Sequence, residues 1–277
     1  MNYFQAILLG LIQGIAEFLP ISSSGHLALF QNILGLADVE HDHMLFDVLL
    51  HLGTLAAVFA AYWEEIKAIV LEFLTMVHIR KLPAGQKADG LSRRMIIFII
   101  IGTLPLFLVL PIKDHIEALF SNLLFIGFAL LMTGLLLFLS DRFNRGNKTV
   151  KNATLLDIIL VGCAQAVAVV PGLSRSGTTI AAGMARGFDR QFAVKFSFLL
   201  SIPAVLGANI LALIDAFGSN IDVSLLPMYL VGVLVSAVSG YMSIRLLKYI
   251  SSRGSFGGFS YYCWGAGLVA LILSLVK

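Results

Sequence analysis

A chain of 277 residues that is 58% hydrophobic and only 13% charged has too few charges to solvate its own surface, since ordinary soluble domains are roughly 45–50% apolar and about 25% charged. That balance excludes a water-soluble globular protein and implies an integral membrane protein. A net charge of +3 gives no basis for a nucleic-acid partner.

The chain opens MNYFQAILLG, with no basic leader and no small-residue cleavage site, so this segment is expected to belong to the mature fold. Residues 3–19 are apolar but stop at Pro20 and the serines that follow. Such a helix covers only about 24 Å, short of a bilayer core of roughly 30 Å, and is expected to dip in and return. Apolar runs long enough to cross follow at 45–63, 95–112 and 119–139. His41 and His43, among Asp38, Glu40 and Asp42, match no metal-ligand spacing and read as a solvated outer loop. A second short apolar segment, 155–170, is stopped by Pro171 and Gly172, and three more spans follow at 194–214, 226–247 and 258–276. Gly254 to Gly258 reads as a flexible connector. Cys163 and Cys263 lie in apolar stretches and suggest neither a disulfide framework nor a thiolate metal site.

Apart from Lys113, Arg175 and Lys277, every Lys and Arg falls within Lys67–Arg94, Arg142–Lys151, Arg186–Lys195 or Arg245–Arg253. If 3–33 and 155–187 each enter and leave on one face, all four clusters share a side, the cytoplasmic one by the positive-inside rule. Asp38, Glu40, Asp42, Asp114, Glu117, Asp215 and Asp222 and both termini then lie outside.

QGIAEFLPISSSGH, from Gln13, aligns without a gap on QAVAVVPGLSRSGT, from Gln165, and FDVLLHLGT at Phe46 echoes FSFLLSIPA at Phe196. The expected architecture is therefore an all-α integral membrane protein with six transmembrane helices and two re-entrant helical hairpins. It forms a single polytopic domain of two halves, about 1–140 and 152–277. Three spans per half make the repeat inverted, as in many transporters, with the broken segments meeting near the midplane.

Non-helical backbone at membrane depth persists only where protein or a wet cavity satisfies its polar groups, so two facing breaks predict a polar chamber. Ser22, Ser23 and Ser24, and Ser174 and Ser176 beside Arg175, are candidate N-cap residues of the short helices that follow. The helix starts, with Gly25, Gly177, Thr178 and Thr179, form a candidate anion site. Arg175 is the basic residue placed at depth; its planar fork suits phosphate oxygens, and a packing pair with Glu17 is the alternative. Glu17 and His26 can move protons, a helix-start His26 bonded to backbone being the alternative, and Ser23 is a nucleophile if a neighbouring base takes its proton. Gln13, one helical turn before Glu17, can orient that carboxylate or help hold a hydrated cation. Gln165 either does likewise or makes a helix-to-helix hydrogen bond. Asp47 and His51 share a face of the first span and are candidate supporting residues.

With these residues in hand, EFLPISSSGH and PGLSRSGTT resemble the two signatures of the bacterial undecaprenyl-diphosphate phosphatase family, also associated with bacitracin resistance, and the resemblance runs over nearly the whole chain. It implies a hydrolase in the bacterial cell membrane that removes the terminal phosphate from a C55 isoprenyl diphosphate, recycling a cell-wall lipid carrier. Glu17, Ser23, His26 and Arg175 would be central, with the apolar tail held among membrane lipids. Gln13 stands where some members have glutamate, leaving Glu17 as the carboxylate for a divalent cation, Mg²⁺ or Ca²⁺, shared with diphosphate oxygens. A homodimer is compatible with this reading. The inverted repeat alone favours a carrier of anions or lipid phosphates that hydrolyses nothing; the clustered Glu17, Ser23 and His26 favour catalysis.

Overall fold

The computed structural model describes residues 1–35, 40–79, 89–143, 146–216 and 223–276. The loop around Asp38, the side chains of Glu40, His41, Asp42, His43 and Asp215, and residue Asp222 lie outside what is described. Among the described residues the chain is helical, and the only strand-like pairing is a single bridge between Lys148 and Phe188.

Two short helices, α1 (Tyr3–Phe18) and α2 (Ser23–Ile33), precede the long α3 (Glu40–Ala61) and α4 (Trp63–Met76). After α5 (Gly90–Thr103) the chain continues through 3₁₀ turns and the short α6 (Lys113–Glu117) to α7 (Leu123–Phe143). Short α8 (Leu155–Val167) and α9 (Arg175–Ala185) follow, then long α10 (Arg190–Ala216), α11 (Leu226–Arg253) and α12 (Gly257–Val276). Among the described residues five helical stretches are long and apolar enough to cross a membrane, and six if the bent α3–α4 pair counts as one.

The expected spans are recovered with three differences. The first does not end in a basic loop: the chain turns by 86° between α3 and α4. Lys248 holds that elbow, its Nζ donating to the Ala61 carbonyl at 2.8 Å and lying 3.5 Å from the Tyr62 ring centroid. The second span starts earlier than expected, at Gly90, and loosens into 3₁₀ turns at Pro105 and Pro111, where the α-helical hydrogen-bond ladder is interrupted. Third, the stretch from Gly254 to Gly258 is a tied corner. Phe256 is fully buried there, and the Arg190 guanidinium bridges the Gly254 carbonyl and the Asp141 carboxylate.

The short helices sit directly against long ones because glycine removes the side chain between them. A Cβ at Gly10 would lie 2.4 Å from the Gly232 carbonyl oxygen, joining α1 to α11; one at Gly162 would lie 2.5 Å from the Gly102 carbonyl oxygen, joining α8 to α5. Next to these contacts an aromatic core closes over the end of α1: Phe18 and Tyr62 both meet the Phe198 ring edge-on, at 5.5 and 5.9 Å between centroids. The positions of Glu17 and Ser23 are thus fixed by backbone contact and by buried aromatic packing.

Candidate active site

Each break between short helices is built from its own serines. Ser22 caps α2, its Oγ accepting from the Gly25 amide at 3.2 Å; Ser174 caps α9, its Oγ accepting from the Gly177 amide at 3.1 Å. The second hydroxyl of each set, Ser24 or Ser176, lies 3.3 Å from its capping serine. Among the described residues the amides of Ser23, Ser24, Arg175 and Ser176 make no hydrogen bond, as expected for the first turn of a helix. One difference separates the copies. Ser22 has φ 75°, a conformation costly for a residue with a Cβ, whereas in the second copy positive φ falls on Gly172.

The breaks touch. The Gly172 amide donates to Ser24 Oγ at 3.2 Å, and a Cβ on Gly25 would lie 3.1 Å from Gly172 Cα. From outside, Thr133 of α7 braces the second break: it accepts from the Ser174 amide at 3.0 Å and lies 3.3 Å from the Gly172 carbonyl. Thr133 was not singled out by sequence reasoning; a threonine inside an otherwise aliphatic helix was the available signal.

Glu17 is the hub. Its Oε2 accepts from Ser23 Oγ at 2.7 Å and from Gln13 Nε2 at 3.1 Å, and its Oε1 accepts from the Arg175 guanidinium. His51 Nε2 lies 3.8 Å from Oε2. The carboxylate is almost fully enclosed, so a cation beside it is required by the cost of burying a lone charge. The packing pair anticipated for Glu17 and Arg175 is present, and it leaves capacity unused: Arg175 Nη1, Gln13 Oε1 and Thr178 Oγ1 are buried without a partner. A guanidinium nitrogen and a helix-start hydroxyl left open, beside free amides, can receive an anion.

His26 stands apart from the hub. Its Nδ1 lies 2.7 Å from the Ser22 carbonyl oxygen and its Nε2 lies 2.8 Å from the Tyr262 hydroxyl, so neither nitrogen is bonded to Ser23 or Glu17. Tyr262 of α12 was missed by sequence reasoning, because its contact bridges the two ends of the chain. Thr179 is turned away, its hydroxyl 2.6 Å from Ser197 Oγ on α10 and donating to the Arg175 carbonyl at 2.9 Å. Asp47 accepts from Gln31 Nε2 at 3.1 Å, and its backbone carbonyl accepts from His51 Nδ1 at 2.8 Å, which orients His51. Gln165 is buried with both amide atoms unpaired, and its expected helix-to-helix bond is not made. Among the described residues no three His, Cys, Asp or Glu side chains converge on a metal position. Cys263 is buried with its thiol 3.7 Å from the Pro20 carbonyl, and Cys163 is exposed.

Similarity to known proteins extends over nearly the whole length. The sequence profile of the family described as bacitracin resistance protein BacA matches residues 6–269. An undecaprenyl-diphosphatase of Carboxydothermus hydrogenoformans is 42% identical over 277 residues, covering 99% of this chain and 98% of that protein. One from Alkaliphilus metalliredigens is 40% identical over 278 residues, covering all of both chains, and one from Methanobrevibacter smithii is 40% identical over 280 residues, covering 99% of each. A profile match from the first helix to the last, with full-length relatives at this identity, places the chain in the BacA family of multi-pass membrane proteins.

Proposed function

We propose that this protein hydrolyses undecaprenyl diphosphate to the monophosphate and inorganic phosphate, and that the reaction takes place where the two breaks meet. The observation that carries the proposal is the convergence on Glu17 of a serine hydroxyl from its own half and a guanidinium from the other. Phosphoryl transfer needs mainly positioning and charge stabilisation, and these groups supply both.

In this reading Arg175, through its unpartnered Nη1, and the free amides at the starts of α2 and α9 hold the diphosphate. Ser23 Oγ attacks the terminal phosphorus while Glu17 Oε2, at 2.7 Å, takes its proton. The bond from that phosphorus to the bridging oxygen breaks, and the lipid monophosphate departs with the bridging oxygen. Water then attacks the phosphoserine, its proton passing to His26 while Glu17 returns its proton to the departing Ser23 oxygen, and phosphate is released. Gln13 and His51 hold the carboxylate from two further sides. A Mg²⁺ or Ca²⁺ ion would find Glu17 and the unpaired Gln13 Oε1 here, with diphosphate oxygens and water completing its shell. Its chemistry would be neutralisation of charge on the diphosphate.

The two short-helix pairs are read as re-entrant hairpins of an inverted repeat, in a cell membrane with both termini outside. Supporting this are the short lengths of α1 and α8, the matching serine caps, and the paired Gly10–Gly232 and Gly162–Gly102 contacts, which relate the two halves position by position. The isoprenyl tail would lie in lipid beside the apolar faces of the long helices.

Purified protein in detergent, given undecaprenyl diphosphate labelled in the terminal phosphate, tests both the activity and its route. Release of labelled phosphate and a labelled Ser23 trapped by acid quench are expected. Substrate binding with no phosphate release would instead support the carrier reading, and net inversion at phosphorus would remove the covalent step.

A further inference from the structure

His26 is 4% exposed, whereas Tyr262, the residue it meets on α12, is 49% exposed. A carbonyl oxygen can only accept, so the 2.7 Å contact with Ser22 places the ring proton on Nδ1. Nε2 of the neutral ring is then an acceptor, and the Tyr262 hydroxyl at 2.8 Å donates to it. The two rings are also nearly parallel, 10° apart with centroids separated by 5.5 Å. Stacking fixes the plane of the imidazole, and the two hydrogen bonds fix its rotation and tautomer. His26 lies one helical turn after Ser22 and Ser23, so its ring belongs to the start of α2, where the diphosphate would sit.

We propose that Tyr262 is a positioning residue for the hydrolysis, holding His26 as the Nδ1–H tautomer with an unprotonated Nε2 ready to receive a proton. The proposal rests on the role assigned above to His26 in the second step. There, water replaces the tyrosine hydroxyl at Nε2. The new bond forms between water oxygen and phosphorus, the Ser23 oxygen–phosphorus bond breaks, and the water proton moves to Nε2. By this stage Glu17 holds the proton taken from Ser23 and returns it to the departing serine oxygen, so the water proton needs a separate acceptor.

The test uses the full-length protein in detergent and the variant Tyr262→Phe, which keeps the ring and removes the hydroxyl. Loss of a single hydrogen bond should lower kcat about three- to ten-fold, with KM little changed. In protein carrying ¹⁵N-histidine, with His26 assigned by comparison with His26→Gln, the Nε2 signal should shift in Tyr262→Phe. In the His26→Gln background the same substitution should no longer affect the residual rate. Parental kcat and an unmoved Nε2 signal in Tyr262→Phe, beside an impaired His26→Gln, would overturn this proposal alone. An equal loss in both backgrounds would assign Tyr262 to packing and overturn it as well. Full activity in His26→Gln would remove the underlying role of His26 and the proposal with it.

Discussion

Replacing Arg175 by alanine separates the two jobs that the proposed reaction assigns to one side chain. The first is electrostatic: with the guanidinium gone, the Glu17 carboxylate is left buried without its direct cation, and breaking a buried pair from one side costs about 3–5 kcal/mol. The second is recognition. Two charge-assisted hydrogen bonds to a phosphate, each worth about 1.5–3 kcal/mol, sum to about 3–6 kcal/mol, which is about a hundred- to ten-thousand-fold in kcat/KM. The double variant Arg175→Ala/Glu17→Gln removes both charges, so its stability should recover most of the loss while activity stays absent. Thermal denaturation midpoints in one detergent read the first effect, and phosphate release reads the second. If Arg175→Ala melts with the parent protein, the ion pair does not shield Glu17. If it hydrolyses the diphosphate at more than about a tenth of the parental rate, the arithmetic above fails and Arg175 is not the phosphate clamp.

Four further outcomes are expected. Ser23→Ala should abolish phosphate release and the trapped label while lowering stability by about 1.5–3 kcal/mol, since it removes one hydrogen bond to the buried Glu17 carboxylate. Ser22→Gly relieves a residue at φ 75° and loses only a few tenths of a kcal/mol as a cap, so its melting temperature should equal or exceed the parent's. Ser174→Gly, at φ −67°, relieves nothing and should melt lower. Gly10→Val drives a side chain into the Gly232 carbonyl and should destabilise by about 1–3 kcal/mol or more, with hydrolysis falling because α1 carries Glu17; parental stability would show that α1 and α11 can part. Gln13→Glu supplies a second carboxylate beside Glu17 and should lower the Mg²⁺ concentration giving half-maximal activity. An unchanged requirement would place the cation elsewhere.

Much of this arrangement was legible in the sequence because membranes enforce simple rules. Apolar length located the long helices, least well the second, which starts at Gly90 and loosens after Thr103, and the repeated serines located both helix starts, because a capping hydroxyl is a local requirement. Glu17 and Arg175 stood out since each is a charge inside an apolar stretch, and charges there need partners. The rest depended on contacts remote in sequence. Tyr262 and Thr133 act through helices far along the chain and belong to no motif. The α3–α4 elbow at Tyr62 depends on Lys248, and Thr179 could not be separated from Thr178 until α10 supplied Ser197. His26, placed by sequence with Glu17 and Ser23, instead bonds to Ser22 and Tyr262, because the first turn of α2 points it toward α12.

The ion pair that joins the halves also distinguishes a finished chain from an unfinished one. A nascent polypeptide ending before Arg175 would hold the Glu17 carboxylate at depth with no guanidinium to meet it, and a charge there costs about 2.5–3.5 kcal/mol on insertion scales. The second half alone would strand the opposite charge. The pair therefore disfavours any product that ends between Glu17 and Arg175, because such a product keeps the buried carboxylate and lacks the guanidinium.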